Sequence, residues 1–236
     1  MKIKFKRYRK NNDSPKAVIS ETSKFAIVEA YKTARTNIMF SLSASEKKSF
    51  AVTSFSKGDG KSTASTNLAI SFSKLNKKVI LIDCDLRRPN VHNILKLENS
   101  RGLSDIIGKM TTFDEAVVRD VIPSLDILTS GTIPPNPSEL IGSPVFEDLI
   151  KRIENEYDYI IFDTPPIGIV ADSLMLKNLV VGYLVVIRER NTTHGDVEKL
   201  MENFKLADGK ILGFLKVGCN PKERKSYKKG YYYQYY

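Results

Sequence analysis

The stretch SFAVTSFSKGDGKSTASTNL, residues 49–68, leaves few folds open to this chain. It begins with an apolar β-type run, Phe50-Ala51-Val52-Thr53. A small polar turn with Gly58 and Gly60 follows, and Lys61-Ser62-Thr63 leads into a helical pattern. Strand, glycine loop and helix in this order make an anion site. Glycines let successive backbone N–H groups turn inward, and the helix N-terminus adds its partial positive charge. A lysine at the junction reaches outer phosphates, and the next hydroxyl can ligate Mg²⁺. The expected nucleotide contacts are Ser56, Lys57, Gly58, Asp59, Gly60, Lys61, Ser62 and Thr63. The pattern G-x-x-x-x-G-K-[ST] lacks its first glycine, because position 55 is Phe55. An ordinary strand–helix turn is the alternative reading, but the order of elements favours the phosphate loop.

Two further strands point at the same place. Val79-Ile80-Leu81-Ile82 is continuously apolar, as in a strand buried on both faces. It ends in Asp83-Cys84-Asp85-Leu86-Arg87-Arg88. The run Tyr157 to Phe162 ends in a single acid, Asp163. Carboxylates after buried strands lie at the C-terminal edge of an open α/β sheet, where such sheets place ligands. An acid at Asp163 can hold Mg²⁺ opposite the loop hydroxyl. Strands are also expected at Leu125–Leu128, at 179–187 and at Ile211–Val217. Helices are expected at 24–42, 62–75, 102–108, 112–119, 145–156 and 193–206. One helical turn is expected at 138–141 inside a proline-rich loop. Asp172 is expected to begin a helix as its N-cap. The alternation implies an α/β fold, a mostly parallel P-loop NTPase-like sheet with helices on both faces.

Charge divides the chain into parts. The net charge is +10, yet residues 1–10 carry six basic residues and no acid, and residues 222–236 carry five basic residues and one acid. Residues 11–221 are therefore formally neutral, which argues against a broad nucleic-acid-binding face; no specific nucleic acid is expected. The expected organisation is a basic tail and linker at 1–23, a domain at 24–221 and a flexible tail at 222–236. The first segment reads either as a solvated tail or as a segment docking on an anionic membrane or partner. The longest apolar run, 179–187, is too short to span a bilayer. Cys84 and Cys219 read as reduced core residues, with a disulfide as the lesser alternative. Glu29, Lys32 and Arg35 share one helix face, either as exposed intrahelical pairs or as a contact surface. Tyr227, Tyr231, Tyr232, Tyr233, Tyr235 and Tyr236 crowd the last ten residues. They read either as a sticky end or edge strand, or as a cluster of phosphate acceptors.

Taken together, SKGDGKST, VILIDCDLRRP, YIIFDTPP, PPNPSEL, EAYKTARTNI and the tyrosine tail resemble one family. The chain is similar to the bacterial tyrosine kinases of capsule and exopolysaccharide systems, and within them to the separate cytoplasmic catalytic subunit of Gram-positive bacteria. The resemblance implies an ATP- and Mg²⁺-dependent protein-tyrosine kinase that phosphorylates its own tail in trans. Lys61 would hold phosphates; Ser62, Asp85 and Asp163 would organise Mg²⁺; Asp83 would accept the tyrosine proton. Arg87 or Arg88 would steady phosphate charge. The implied partners are a ring of identical subunits, expected to be an octamer, a membrane adaptor with an activating cytoplasmic tail, and a tyrosine phosphatase. Septum-placement and chromosome-partition ATPases share the nucleotide motifs, and a localisation switch of that kind is the rival reading. Their signature lysine, five residues before the loop lysine, is absent here: the position is Ser56. The family's Glu-x-x-Arg-x-x-Arg helix reads Glu29, Lys32, Arg35, and lysine lacks the planar fork of arginine.

Overall fold

The structure, a computed structural model, describes residues 18–20 and 22–219. The basic residues 1–10 and the six tail tyrosines lie outside the described residues.

Seven strands form one sheet: β1 (Ser49–Ser54), β2 (Val79–Asp83), β3 (Val118–Ile122), β4 (Leu125–Leu128), β5 (Tyr159–Asp163), β6 (Tyr183–Arg188) and β7 (Ile211–Val217). Their order is β3-β4-β2-β5-β1-β6-β7, and every neighbouring pair is parallel except β3 with β4. The expected mostly parallel sheet is thus present. Strand side chains alternate between two cores, as period two requires. In β5, Tyr159 and Ile161 face one core, whereas Ile160 and Phe162 face the other.

Helices cover both faces. Helices α1 (Phe25–Leu42), α2 (Lys61–Ser73) and α3 (Val91–Leu95) lie on one. On the other are α4 (Leu103–Ile107), α5 (Phe113–Ala116), α6 (Pro137–Ile141), α7 (Pro144–Ile153), a 3-10 helix (Asp172–Asn178) and α8 (His194–Leu206). Helix α2 is buried nearly all round because α1 packs over it. Helix α7 is strongly amphipathic, buries Phe146, Leu149, Ile150 and Ile153, and is capped by the Ser143 hydroxyl accepting from the Phe146 N–H.

Three expectations need correction. Residues 112–119 are not one helix: α5 stops at Ala116, and Val118 begins the antiparallel edge strand β3. The run 179–187 is not one strand, since Leu179 closes the 3-10 helix and pairing with β1 begins at Tyr183. Asp172 opens the 3-10 helix without capping it; its carboxylate accepts hydrogen bonds from Arg87 and Ser138. Among the described residues, no helix is long and apolar enough to cross a membrane. Both cysteines are free, Cys84 buried and Cys219 half-buried.

Candidate active site

The three central strands β2, β5 and β1 end at Asp83, Asp163 and Ser54, so their loops converge at one edge. The phosphate loop follows β1. Gly58 and Gly60 take φ of +84° and +91°, a region that favours glycine, and Gly60 caps α2 from there. The missing first glycine also has an explanation. The Phe55 carbonyl accepts from the Gly168 N–H at 3.1 Å. A Cβ on Gly168 would lie 2.6 Å from the Phe55 carbonyl and 2.8 Å from its ring. The glycine that gives the Phe55 ring its room thus sits after β5, not in the phosphate loop itself.

Lys61 is the charge centre. Its Nζ lies 2.7 Å from Asp85 Oδ2 and 3.8 Å from Asp163 Oδ2. Burial opposes its charge, but Asp163, Asp85 and Asp83 outweigh burial and hold the ammonium above the usual lysine value. Asp83 and Asp163 are cross-strand partners in the β2–β5 register, which sets two fully buried carboxyls side by side. Burial first, and then Asp163, push the Asp83 carboxyl up to about 8 against the pull of Lys61. The same causes, burial foremost, raise Asp163. Three backbone N–H groups hold Asp83: that of Asp85 at 3.1 Å on Oδ1, and those of Asn90 and Val91 at 3.1 Å on Oδ2. Burial and the flanking acids keep the Cys84 thiol neutral.

Both Asp163 oxygens are buried without a well-formed hydrogen bond, with the Ser62 and Ser65 hydroxyls and the Lys61 ammonium as their polar neighbours. Buried acceptors are normally satisfied, and Lys61 at 3.8 Å meets these two only in part, which leaves room for a further cation. With Asp85 and the Ser62 hydroxyl they make an all-oxygen donor set of the kind Mg²⁺ prefers, and Mg²⁺ commonly takes only one or two carboxylates from protein. These residues fit the metal.

A cavity of about 690 Å³ opens beside them. Its lining includes the basic Lys57, Lys61, Arg87, Arg88 and Arg188 and the apolar Pro165, Pro166, Ile169 and Val170. Gly58, Gly60, Ser62, Thr63 and Asp85 also line it, whereas Ser56, Asp59, Asp83 and Asp163 do not. Arg87 is held at the rim, its Nε 2.8 Å from Asp172 Oδ2 and its Nη2 2.9 Å from Ser138 Oγ. The Arg88 N–H donates to Asp85 Oδ1 at 3.0 Å. Glu29, Lys32 and Arg35 lie on α1, outside this site. Lys32 pairs with Glu29 at 2.7 Å on the exposed face, and Arg35 donates to the Ser71 carbonyl of α2.

Comparison with known proteins decides the family. The AAA domain description matches residues 47–212, more than half of the chain. Tyrosine-protein kinase YwqD of Bacillus subtilis (strain 168) is 41% identical over 204 residues, covering 86% of this chain and 85% of that protein. The chain belongs to the bacterial tyrosine-protein kinases. Putative tyrosine-protein kinase CapB of Staphylococcus aureus is 36% identical over 224 residues, with 95% and 93% covered. The crystal structure of the chimerical protein CapA2B2 superposes with a TM-score of 0.79 at 35% identity, over 83% of this chain and 86% of that one. The expected kinase class and P-loop fold hold. The rival ATPase switch gains no support from relatives of this similarity.

Several residues of the kinase site escaped sequence reasoning. Arg188 ends β6, and a charge closing an apolar strand at this sheet edge was a usable signal. Asn191 and Ser138 carry no such signal; only the folded chain brings them to the phosphate loop and to Arg87.

Proposed function

We propose that this kinase transfers the γ-phosphoryl group of ATP to tyrosines of its own tail, Tyr227, Tyr231, Tyr232, Tyr233, Tyr235 and Tyr236, within a system that makes capsular or extracellular polysaccharide. One observation carries the reading. A buried lysine at a glycine loop lies between Asp85 and Asp163, beside a cavity lined by basic and apolar residues. Lys61 and the loop amides from Gly58 to Thr63 bind the phosphates. Ser62, Asp85 and Asp163 hold Mg²⁺, which neutralises charge on the phosphate oxygens when bound. Asp83 accepts the phenolic proton. A free phenol has a pKa near 10, so a carboxyl held above the ordinary aspartate value is, in its ionised fraction, a better matched base than an ordinary aspartate. Asp83 is fully buried and does not line the cavity, so this role requires the contact at Asn90 or Val91 to yield as the acceptor enters. Arg87 and Arg88 steady phosphate charge at the rim.

The domain at 24–221 would work between two basic segments, 1–23 and 222–236. Its neighbours would be identical copies in a ring, joined through the face of Glu29, Lys32 and Arg35. A membrane adaptor's cytoplasmic tail would activate it at the inner face of the membrane, and a tyrosine phosphatase would reset it. The test is incubation with Mg-ATP and phosphate mapping by mass spectrometry, for wild type and Lys61→Met. Phosphotyrosine in the tail of wild type and none in the folded mutant is expected. Near-wild-type phosphorylation by the mutant would reject the nucleotide assignment.

A further inference from the structure

The turn after β6 touches the phosphate loop at two points. Arg188 Nη1 donates to the Gly58 carbonyl at 2.9 Å, and Asn191 Nδ2 donates to Asp59 Oδ1 at 2.6 Å. Asp59 is fully buried, and its other oxygen accepts from the Ser56 N–H at 3.0 Å. A buried carboxylate needs donors on its oxygens. Asp59 has them from within the loop and from the turn, and it does not line the cavity. It acts as a strut, not as a phosphate contact, which suits a negative group beside an anion site.

The turn itself is stiff. The Arg188 carbonyl accepts from the N–H groups of Asn191 and Thr192, both at 3.0 Å, and the Arg188 N–H donates to Thr192 Oγ1 at 2.9 Å. The Glu189 N–H donates to the Val217 carbonyl at 3.0 Å, which ties the turn to β7. A loop that binds phosphate through inward N–H groups must turn its carbonyls outward. Arg188, itself part of the cavity lining, occupies the Gly58 carbonyl and so fixes the orientation of that peptide, one residue before Asp59 and two before Gly60.

We propose that residues 188–192 form a clamp that sets the shape of the phosphate loop, with Arg188 and Asn191 as positioning residues for the nucleotide. The inference rests on the nucleotide reading of that loop, but the loop's rigidity can be measured without nucleotide.

Hydrogen–deuterium exchange and steady-state kinetics on Asn191→Ala, Arg188→Gln and Arg188→Lys provide the test. Losing one such bond is expected to speed exchange of the 55–60 amides and to raise KM for ATP, each about tenfold. KM for a tyrosine-bearing peptide and exchange in β5 stay unchanged; the thermal midpoint stays unchanged in the Arg188 variants and falls by about 2–4 °C in Asn191→Ala, which strips a donor from the buried Asp59. Arg188→Lys keeps a donor and recovers most of the loss. Wild-type exchange in the folded variants overturns the clamp, as does faster exchange with an unchanged KM for ATP. Failure of the nucleotide reading is distinguishable, because it appears as retained activity in Lys61→Met whatever the clamp variants do.

Discussion

At the scale of single residues, the site is a question of which carboxyl does what. Asp83 is fully buried and held by three amides, whereas Asp85 lines the cavity and pairs with Lys61. Asp83→Asn is expected to cut kcat by about 10²–10⁴ with ATP binding little changed, because the amide keeps the size but cannot take a proton. Asp85→Asn is expected to weaken ATP binding as well, since it removes the partner of Lys61. Calorimetric binding beside kinetics separates the two, and equal loss of both functions in Asp83→Asn would move Asp83 to the metal. Far from this edge, the Tyr157 hydroxyl donates to the buried Asp126 Oδ2 at 2.6 Å. Burial and then Asp126 hold that phenol above its ordinary value, so it remains a neutral donor. Tyr157→Phe strips this donor from Asp126 and should cost about 1–3 kcal/mol in denaturant melts, with kcat unchanged. The acids at the ends of apolar strands were legible because strand polarity alone fixes their edge. Asn191 and the hold of Asp172 on Arg87 were not, because both contacts join segments far apart in sequence.

At the scale of elements, what could be read was what periodicity governs. The long helices α1, α2 and α8, and the strands that carry the acids, lie within a few residues of their expected bounds. Edge strand β3 was hidden because VRDVI lacks the continuous apolar character of its parallel neighbours; only Val121 is buried in it. The run 179–187 misled for the opposite reason: the buried turn that leads into β6, with Leu179 and Val180 in the core, is as apolar as a strand. The seam between the phosphate loop and the segment after β5 yields a prediction of its own. Gly168→Ala brings a methyl group to 2.6 Å from the Phe55 carbonyl. It should cost about 1–3 kcal/mol, or about 2–4 °C in melting temperature per kcal/mol. Phe55→Ala should not rescue it, because the clash with the backbone carbonyl survives. Full rescue would show that the ring, not the carbonyl, sets the limit.

At the scale of the whole molecule, charge and assembly meet. The segment 222–236 carries five basic residues, one acid and the six tyrosines. Each phosphate adds about −1.5 to −2 charge, so several reverse the segment's sign. In the proposed ring, crowded phosphorylated tails would repel one another. Native mass spectrometry is expected to show a ring for Lys61→Met and for a chain ending at Pro221, and mostly monomer for wild type after ATP. An unchanged oligomer after multiple phosphorylation would sink the cycle. The position of β7 adds a geometric consequence. The Val217 side chain lies 3.7 Å from where a Cβ of Gly60 would be, so β7 ends beside the phosphate loop. From Cys219, at about 3.3–3.6 Å per residue, Tyr227 can travel at most about 26–29 Å and Tyr236 about 56–61 Å. By covalent length alone, an acceptor site further than about 29 Å from Cys219 is beyond Tyr227, while one up to about 61 Å away is within the span of Tyr236.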